Sequence, residues 1–432
     1  MLGMLKANLL NIPTNALKKL FDQVDPIAKS TKFAVRKSKG ISPCGMILAL
    51  FKAVIEGNSS FNQLATFLSH SDLKSVSRQA VWKRINPSAI HLLSSLIGLA
   101  LNQRCKAEGL IVSDVFGRVL IEDSTQCKVY AANHEEFPSS GNQIGSTSGC
   151  KFDITYDILT GNPIICNLHL STTPDQEIGK DVVDLLNEND LLIRDRGYFC
   201  KNEFSRIESK NAFWITRVPS GLVIKSLDQK PIETILSKTK KNKIEMDVIL
   251  GVDGIQTRMI AIRADEDLIR KRKKERDASS KNKKDTQQAN RRKVRDGWHI
   301  IVTNIPREKM ECERLFSLYR IRWQIEITFR AWKQSTKLEK AFGKKTNPLH
   351  LEALMLAAML LLILTMKISN IIQLKHRTAL VSIEKLSKNL TTFIQTITTL
   401  KRFLKYEPDI RHVASGFRQR QPLAEIASEC LS

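Results

Sequence analysis

The sequence predicts an α/β protein in which a core of strands and helices carries a β-rich, basic insertion and is flanked by helical regions at both ends. Three changes of hydrophobic period support this. Apolar residues recur at helical spacing up to about residue 110. Short apolar runs at strand length take over from about 115. The alternation of strand and helix is interrupted between about 218 and 297 and then resumes.

The first region shows helical spacing in residues 45–55 (Met46, Ile47, Ala49, Leu50, Val54), 61–68 and 90–101. Ser59 and Ser60 offer an N-cap, and Pro87 stops the helix before it. Residues 61–68, a short break and residues 77–85 fit a helix-turn-helix. Ser77 would cap its second helix, Arg78, Gln79, Lys83 and Arg84 would face a groove, and Ala80, Val81 and Ile85 would turn inward. A plain helical bundle packed on the core is the alternative.

In the core, residues 118–123 form a short apolar strand ending in an acid, 151–157 alternate like a half-buried strand, and 163–168 form a third. Residues 175–187 read as a helix with Ile178, Val182, Val183 and Leu186 on one face. Residues 191–193 form a fourth strand that runs into Asp195. Helix follows at 204–209 and strand at 212–217. Three sequential strands followed by alternating helix and strand match the layer logic of an RNase H-like core.

In the insertion, residues 245–250 and 257–263 predict a hairpin turning at Val252-Asp253-Gly254. Residues 270–295 are basic and lack aromatics, with Lys271, Arg272, Lys273, Lys274, Lys283, Lys284, Arg291, Arg292 and Lys293. Such a run serves as a solvated face, as a phosphate-binding arm, or as both. Residues 298–303 return to strand, and one long helix is expected from about 306 or 309 to beyond 333. The apolar run 351–366, interrupted by Glu352, falls short of the ~20 residues a bilayer span needs and predicts a buried core helix. The expected segments are residues 1–110, a helical DNA-binding region; 111–217 and 298–345, the two parts of the core; 218–297, the insertion; and 346–432, a helical region suited to dimerisation.

Lys and Arg number 68 against 44 acids, a net charge of +24 spread over the 432 residues. Such a surface attracts polyanions and releases their counterions. A ribosome-bound or merely basic protein would share it. The eight cysteines include no C-x-x-C pair and no zinc-ligand spacing with histidine, so they read as buried thiols of a reducing cytosol. The histidines show no H-x-x-x-H pair and no nucleophile-base setting. Residues 1–30 lack the pattern of a secretory signal, which favours a cytoplasmic protein free of membrane.

Three carboxylates stand out. Asp123 and Asp195 each follow an apolar strand, and Glu326 lies in the long helix. Acids at strand exits occupy the edge where open α/β sheets build sites. Taken singly, each is as ordinary as a turn residue, a cap or a solvated helical Glu. In one continuous helix, Tyr319, Arg322, Glu326 and Lys333 share a stripe, while Ile321, Ile325, Phe329 and Trp332 form a separate apolar face. An acid flanked by a phenol and two cations suits a metal ion together with phosphates.

The spacing Y-x2-R-x3-E-x6-K at Tyr319, Arg322, Glu326 and Lys333 resembles the YREK signature of the insertion-sequence-four group of bacterial DDE transposases. Residues 121–125 (Ile-Glu-Asp-Ser-Thr) look like that family's first-Asp block, residues 194–198 (Arg-Asp-Arg-Gly-Tyr) its second, and residues 298–304 the strand closing its insertion. Arg194 and Ser124 depart from the family's usual small residue and Gly. The resemblance covers residues 30–370. It implies metal-dependent cleavage at insertion-sequence ends and strand transfer into target DNA, with Asp123, Asp195 and Glu326 as catalytic metal ligands. Oxygen-only ligands suit Mg²⁺, with Mn²⁺ as substitute, and a pair of ions is expected. Tyr319, Arg322 and Lys333 would contact the backbone of the element's end, Arg196 the DNA beside the site, and Trp298 an unstacked base or merely the core. Arg78, Lys83 and Arg84 join them as DNA-binding candidates. The implied partners are double-stranded DNA, both inverted-repeat ends and target, and a second copy of the chain when DNA is bound. The implied location is the cytoplasm, at the nucleoid. A non-catalytic DNA-binding relative and an RNase H-like nuclease without strand joining are the rival readings.

Overall fold

The computed structural model describes residues 12–35, 40–72, 74–103, 113–139, 147–251, 254–279, 286–343, 347–376, 381–414 and 431. Its strands are β1 (Val119–Val129), β2 (Pro138–Ser139), β3 (Thr147–Asp157), β4 (Asn162–Leu170), β5 (Leu191–Arg194), β6 (Phe213–Arg217), β7 (Ile224–Ser226), β8 (Lys243–Leu250), β9 (Ile255–Arg263) and β10 (Trp298–Thr303). The chain divides into two compact units. The first comprises Met1–Val112, Asp123–Thr173 and Trp323–Glu425; the second comprises Ser113–Glu122, Pro174–Arg322 and Ile426–Ser432. The chain leaves and re-enters each unit.

The first unit is built around the 28-residue Pro348–Lys375 helix. Asn347 caps it by accepting from the Leu349 amide at 2.8 Å, and Pro348 stands where its missing N–H costs nothing. Every residue from 353 to 364 is buried, so this helix is apolar all round. It packs against the Pro87–Asn102, Pro43–Glu56 and Ile383–Thr396 helices and β4. By length and composition it could cross a membrane, yet 89% of its most apolar window is buried in the protein. It is the core helix expected, extended by several turns. Strands β3 and β4 form an antiparallel hairpin, with a register shift between Thr155 and Tyr156. Gly161 turns it at φ 68°, and the Asn370 amide of the long helix donates to the Gly161 carbonyl.

The second unit is a mixed sheet. Val119–Glu122 of β1 pairs in parallel with β5, and β5 in parallel with β6. Val119, Leu120 and Ile121, like Leu191, Leu192 and Ile193, are wholly buried, as parallel strands covered on both faces require. β10 runs antiparallel to β6, and β9, β8 and β7 follow antiparallel beyond it. The predicted hairpin of the insertion is β8–β9; its turn carries Gly251 and Gly254 at positive φ, and residues 252 and 253 lie outside the described residues. Antiparallel and parallel strands alternating with helices give the α/β fold expected from the sequence.

Three expectations are corrected, and the basic stretch gains definition. β1 does not stop at Asp123 but continues to Val129, because Cys127 and Val129 are buried and extend the inward alternation. The helix over 175–187 is two short ones, Asp175–Ile178 and Lys180–Asp184, divided at Gly179. The long helix is also two, Cys312–Arg320 and Trp323–Ser335, divided at Ile321 and Arg322, so the single stripe does not apply across the break. The basic stretch forms the Glu266–Ser279 and Thr286–Arg295 helices, while Lys283 and Lys284 lie outside the described residues. The six described cysteines are thiols outside any disulfide, and burial pushes the Cys127 thiol up to about 11.

Candidate active site

In the second unit the site begins with the register of β1 and β5, which sets Glu122 opposite Arg194. Both side chains are buried and form an ion pair, and Arg194 also donates to the Gly179 carbonyl. The Arg194 guanidinium lies 5.6 Å from the centre of the Tyr198 ring. Burial pushes the Glu122 carboxyl up, and Arg194 opposes that shift. A second pair, Arg118 with Asp190, holds the opposite end of the same two strands. Sequence reasoning missed the Glu122–Arg194 pair. Its signal was an acid and a base ending two equivalent apolar runs, Ile121-Glu122 and Ile193-Arg194.

Asp195 follows β5 directly and is half-buried. The Tyr319 hydroxyl donates to its Oδ1 at 3.3 Å, so two motif residues far apart in sequence meet within one unit. Tyr319 itself is buried, and burial raises its phenol pKa; Arg322 and Arg217 counter the shift. The Arg322 guanidinium sits 6.0 Å from the Tyr319 ring centre. Arg196 is exposed next to Asp195. Gly197 is needed for space rather than for a positive φ, since a Cβ there would stand 2.7 Å from Asp175 Oδ2.

In the first unit, Asp123 is half-buried in mid-strand, and its Oδ1 accepts from the Ser124 amide at 2.9 Å. Glu326 lies half-buried in the first turn of the Trp323–Ser335 helix. Ile325, Phe329 and Trp332 fix that helix by burial, with Trp332 edge-on to Phe152 of β3 at 5.1 Å. The Lys333 ammonium donates to the Gln126 carbonyl of β1, which ties the helix to the strand that carries Asp123.

The remaining predicted residues divide. Arg78 and Lys83 are exposed on the Arg78–Arg84 helix. Arg84 is half-buried, donates to the Phe33 carbonyl at 2.6 Å and lies 5.2 Å from the Phe33 ring centre, so it anchors the helix. Trp298 is only 4% exposed, with the Arg263 guanidinium 4.5 Å from its ring centre. Its ring is packed inside the protein. Ala80, expected to face inward, is exposed.

Among the described residues, no group of three or more His, Cys, Asp or Glu stands gathered as a metal cage. The donor chemistry nevertheless fits a hard divalent cation. Asp123, Asp195 and Glu326 offer only oxygens, and each is half-buried beside a buried run.

Residues 115–362 match the family model described as Transposase DDE domain. The chain is 25% identical over 334 residues to the transposase for insertion sequence element IS231E of Bacillus thuringiensis subsp. finitimus, covering 72% of this chain and 70% of that protein. It is 25% identical over 354 residues to the transposase for insertion sequence element IS1151 of Clostridium perfringens, covering 76% and 74%. A solved piggyBac transposase synaptic complex with hairpin DNA aligns at TM-score 0.48 and 12% identity, covering 91% of this chain and 84% of that one. The matched domain works with a divalent metal. The chain belongs to the DDE-domain transposases and is a DNA transposase of the bacterial insertion-sequence type.

Proposed function

We propose that Asp123, Asp195 and Glu326 hold Mg²⁺, or Mn²⁺ in its place, as two ions, and that the chain cuts the ends of its own insertion element and joins them to target DNA. The observation that carries this reading is the Tyr319–Asp195 hydrogen bond, which unites two separate motif blocks. When bound, the metal activates a nucleophile and offsets charge on the leaving oxygen. In the first step a water oxygen bonds to the phosphorus at the element's end, and the bond to the 3′-oxygen breaks, leaving a 3′-hydroxyl. In the second, that hydroxyl attacks a target phosphate and a target 3′-oxygen leaves. One phosphodiester forms as one breaks, so no outside energy source is needed.

The protein's own groups orient these steps. Tyr319 steadies the Asp195 carboxylate through its hydroxyl, and Arg322 and Arg196 neutralise backbone phosphates. Lys333 positions the Glu326 helix against β1 and turns to phosphate when DNA is bound. Two ends must be held together, so the DNA-bound form is a homodimer, acting in the cytoplasm at the nucleoid.

Glu326→Gln tests the reading. It is expected to abolish cleavage of a duplex carrying the terminal inverted repeat in Mg²⁺, with binding of that duplex changed no more than a few-fold. Persistent cleavage removes Glu326 from the ligand set. A strand-joining assay with pre-cut ends separates a transposase from a nuclease that only cuts.

A further inference from the structure

Trp82 is 56% exposed, on a helix whose other side is firmly fastened. In the Arg78–Arg84 helix, Val81 is fully buried, and Ile85 just beyond it is 7% exposed. Ser77 caps the helix by accepting from the Ala80 amide at 3.2 Å. The turn before it is pinned by the Val76 amide, which donates to Ser69 Oγ at 3.0 Å. Arg84 ties the far end to the Phe33 carbonyl. The Phe61–Asp72 helix packs behind. With its back so fixed, the helix presents Arg78, Gln79, Trp82 and Lys83 outward, all exposed. These residues are spaced i, i+1, i+4 and i+5, which is one face.

An indole this exposed is costly in water and is typical of contact surfaces. The charge around it selects the partner. From residue 61 to 86 the chain has four cations, Lys74, Arg78, Lys83 and Arg84, and a single acid, Asp72. A seven-residue helix is about 10 Å long and fits a major groove about 12 Å wide. Arg and Gln form paired hydrogen bonds with guanine and adenine edges there, and an apolar ring packs on thymine methyl groups.

We propose that this face enters the major groove of duplex DNA and that Trp82, with Gln79, supplies sequence discrimination while Arg78 and Lys83 supply affinity. The proposal rests on the reading of the chain as a transposase that finds its own ends. Sequence alone pointed to the cations and Gln79 but passed over Trp82.

The test uses the full chain and two duplexes of equal length, one carrying the terminal inverted repeat that flanks the reading frame and one of scrambled sequence. Trp82→Ala is expected to lower the ratio of the two affinities about tenfold, with the salt dependence unchanged. Arg78→Ala with Lys83→Ala is expected to weaken both duplexes and flatten the salt dependence by about two contacts. In a Trp323→Phe background, which leaves Trp82 as the main exposed indole, bound duplex should shield the fluorescence from acrylamide. Unchanged discrimination in Trp82→Ala overturns the proposal, as does an unshielded indole. Loss of self-association with DNA binding intact also overturns it, since the face would then meet protein. Glu326→Gln, run in parallel, is expected to keep discrimination and lose cleavage. If that variant still cleaves, the catalytic assignment fails on its own account.

Discussion

Without its guanidinium partner, Glu122 would be a carboxylate enclosed by protein one residue ahead of Asp123. Arg194 stands in the same relation to Asp195, so the pair sets both strand ends at once. Breaking such a pair leaves one group buried and unmatched. We expect Arg194→Ala to destabilise the chain by about 3–5 kcal/mol in urea unfolding, whereas Glu122→Leu with Arg194→Met together should recover most of the loss. A single variant within about 1 kcal/mol of the parent would show that solvent reaches the pair. His350 allows a prediction for pH. It is buried against Phe61, ring centres 4.4 Å apart, and burial lowers its pKa from 6.5 to about 4. The folded chain therefore holds it neutral, and its contribution is complete above pH 6.5 and is lost as the pH falls toward about 4. The loss should approach about 3 kcal/mol and be absent from His350→Asn, compared by urea midpoints at pH 7 and pH 4.5. An identical acid slope in the variant would contradict the assignment.

The turn between β3 and β4 shows how an element depends on one backbone position. Gly161 has φ 68°, and a Cβ there would lie 2.4 Å from Asn370 Oδ1. Gly161→Ala should cost more than about 1 kcal/mol and lower the melting temperature by several degrees. An unaltered melting curve would mean that the turn and the long helix separate easily. Legibility from sequence differed by element for physical reasons. β10 was read to the residue because Gly297 and Asn304 bound a run rich in aromatic and β-branched residues. β7 was not foreseen, being three residues with no room for a period. The division at Ile321 and Arg322 was hidden because both residues keep near-helical geometry and the motif's spacing bridges the turn. Tyr319 and Asp195 could be assigned to one site only through the motif, since nothing local in either segment shows their hydrogen bond. The surroundings of Trp298 and Arg84 were not legible in sequence, because only tertiary structure shows the Arg263 guanidinium against the Trp298 ring and the Phe33 carbonyl that Arg84 donates to.

At the scale of the molecule, the net charge of +24 makes DNA affinity a function of salt. The exposed Lys271, Lys273 and Lys274 of the Glu266–Ser279 helix are the most concentrated part of that charge outside the motifs. Converting all three to Ala should flatten the slope of log affinity against log salt on scrambled duplex by about 2–3, measured by fluorescence anisotropy. An unchanged slope would mean that the helix faces solvent in the complex. The Pro348–Lys375 helix bears on how the chain is made. An emerging segment of that composition would present a long greasy rod to the cell and invite mistargeting or clumping. Of the elements it packs on, Pro43–Glu56, Pro87–Asn102 and β4 precede it in the chain, and the Ile383–Thr396 helix follows. Those earlier elements are already outside the ribosome when it appears, so vectorial synthesis offers this segment a cradle of protein to fold against.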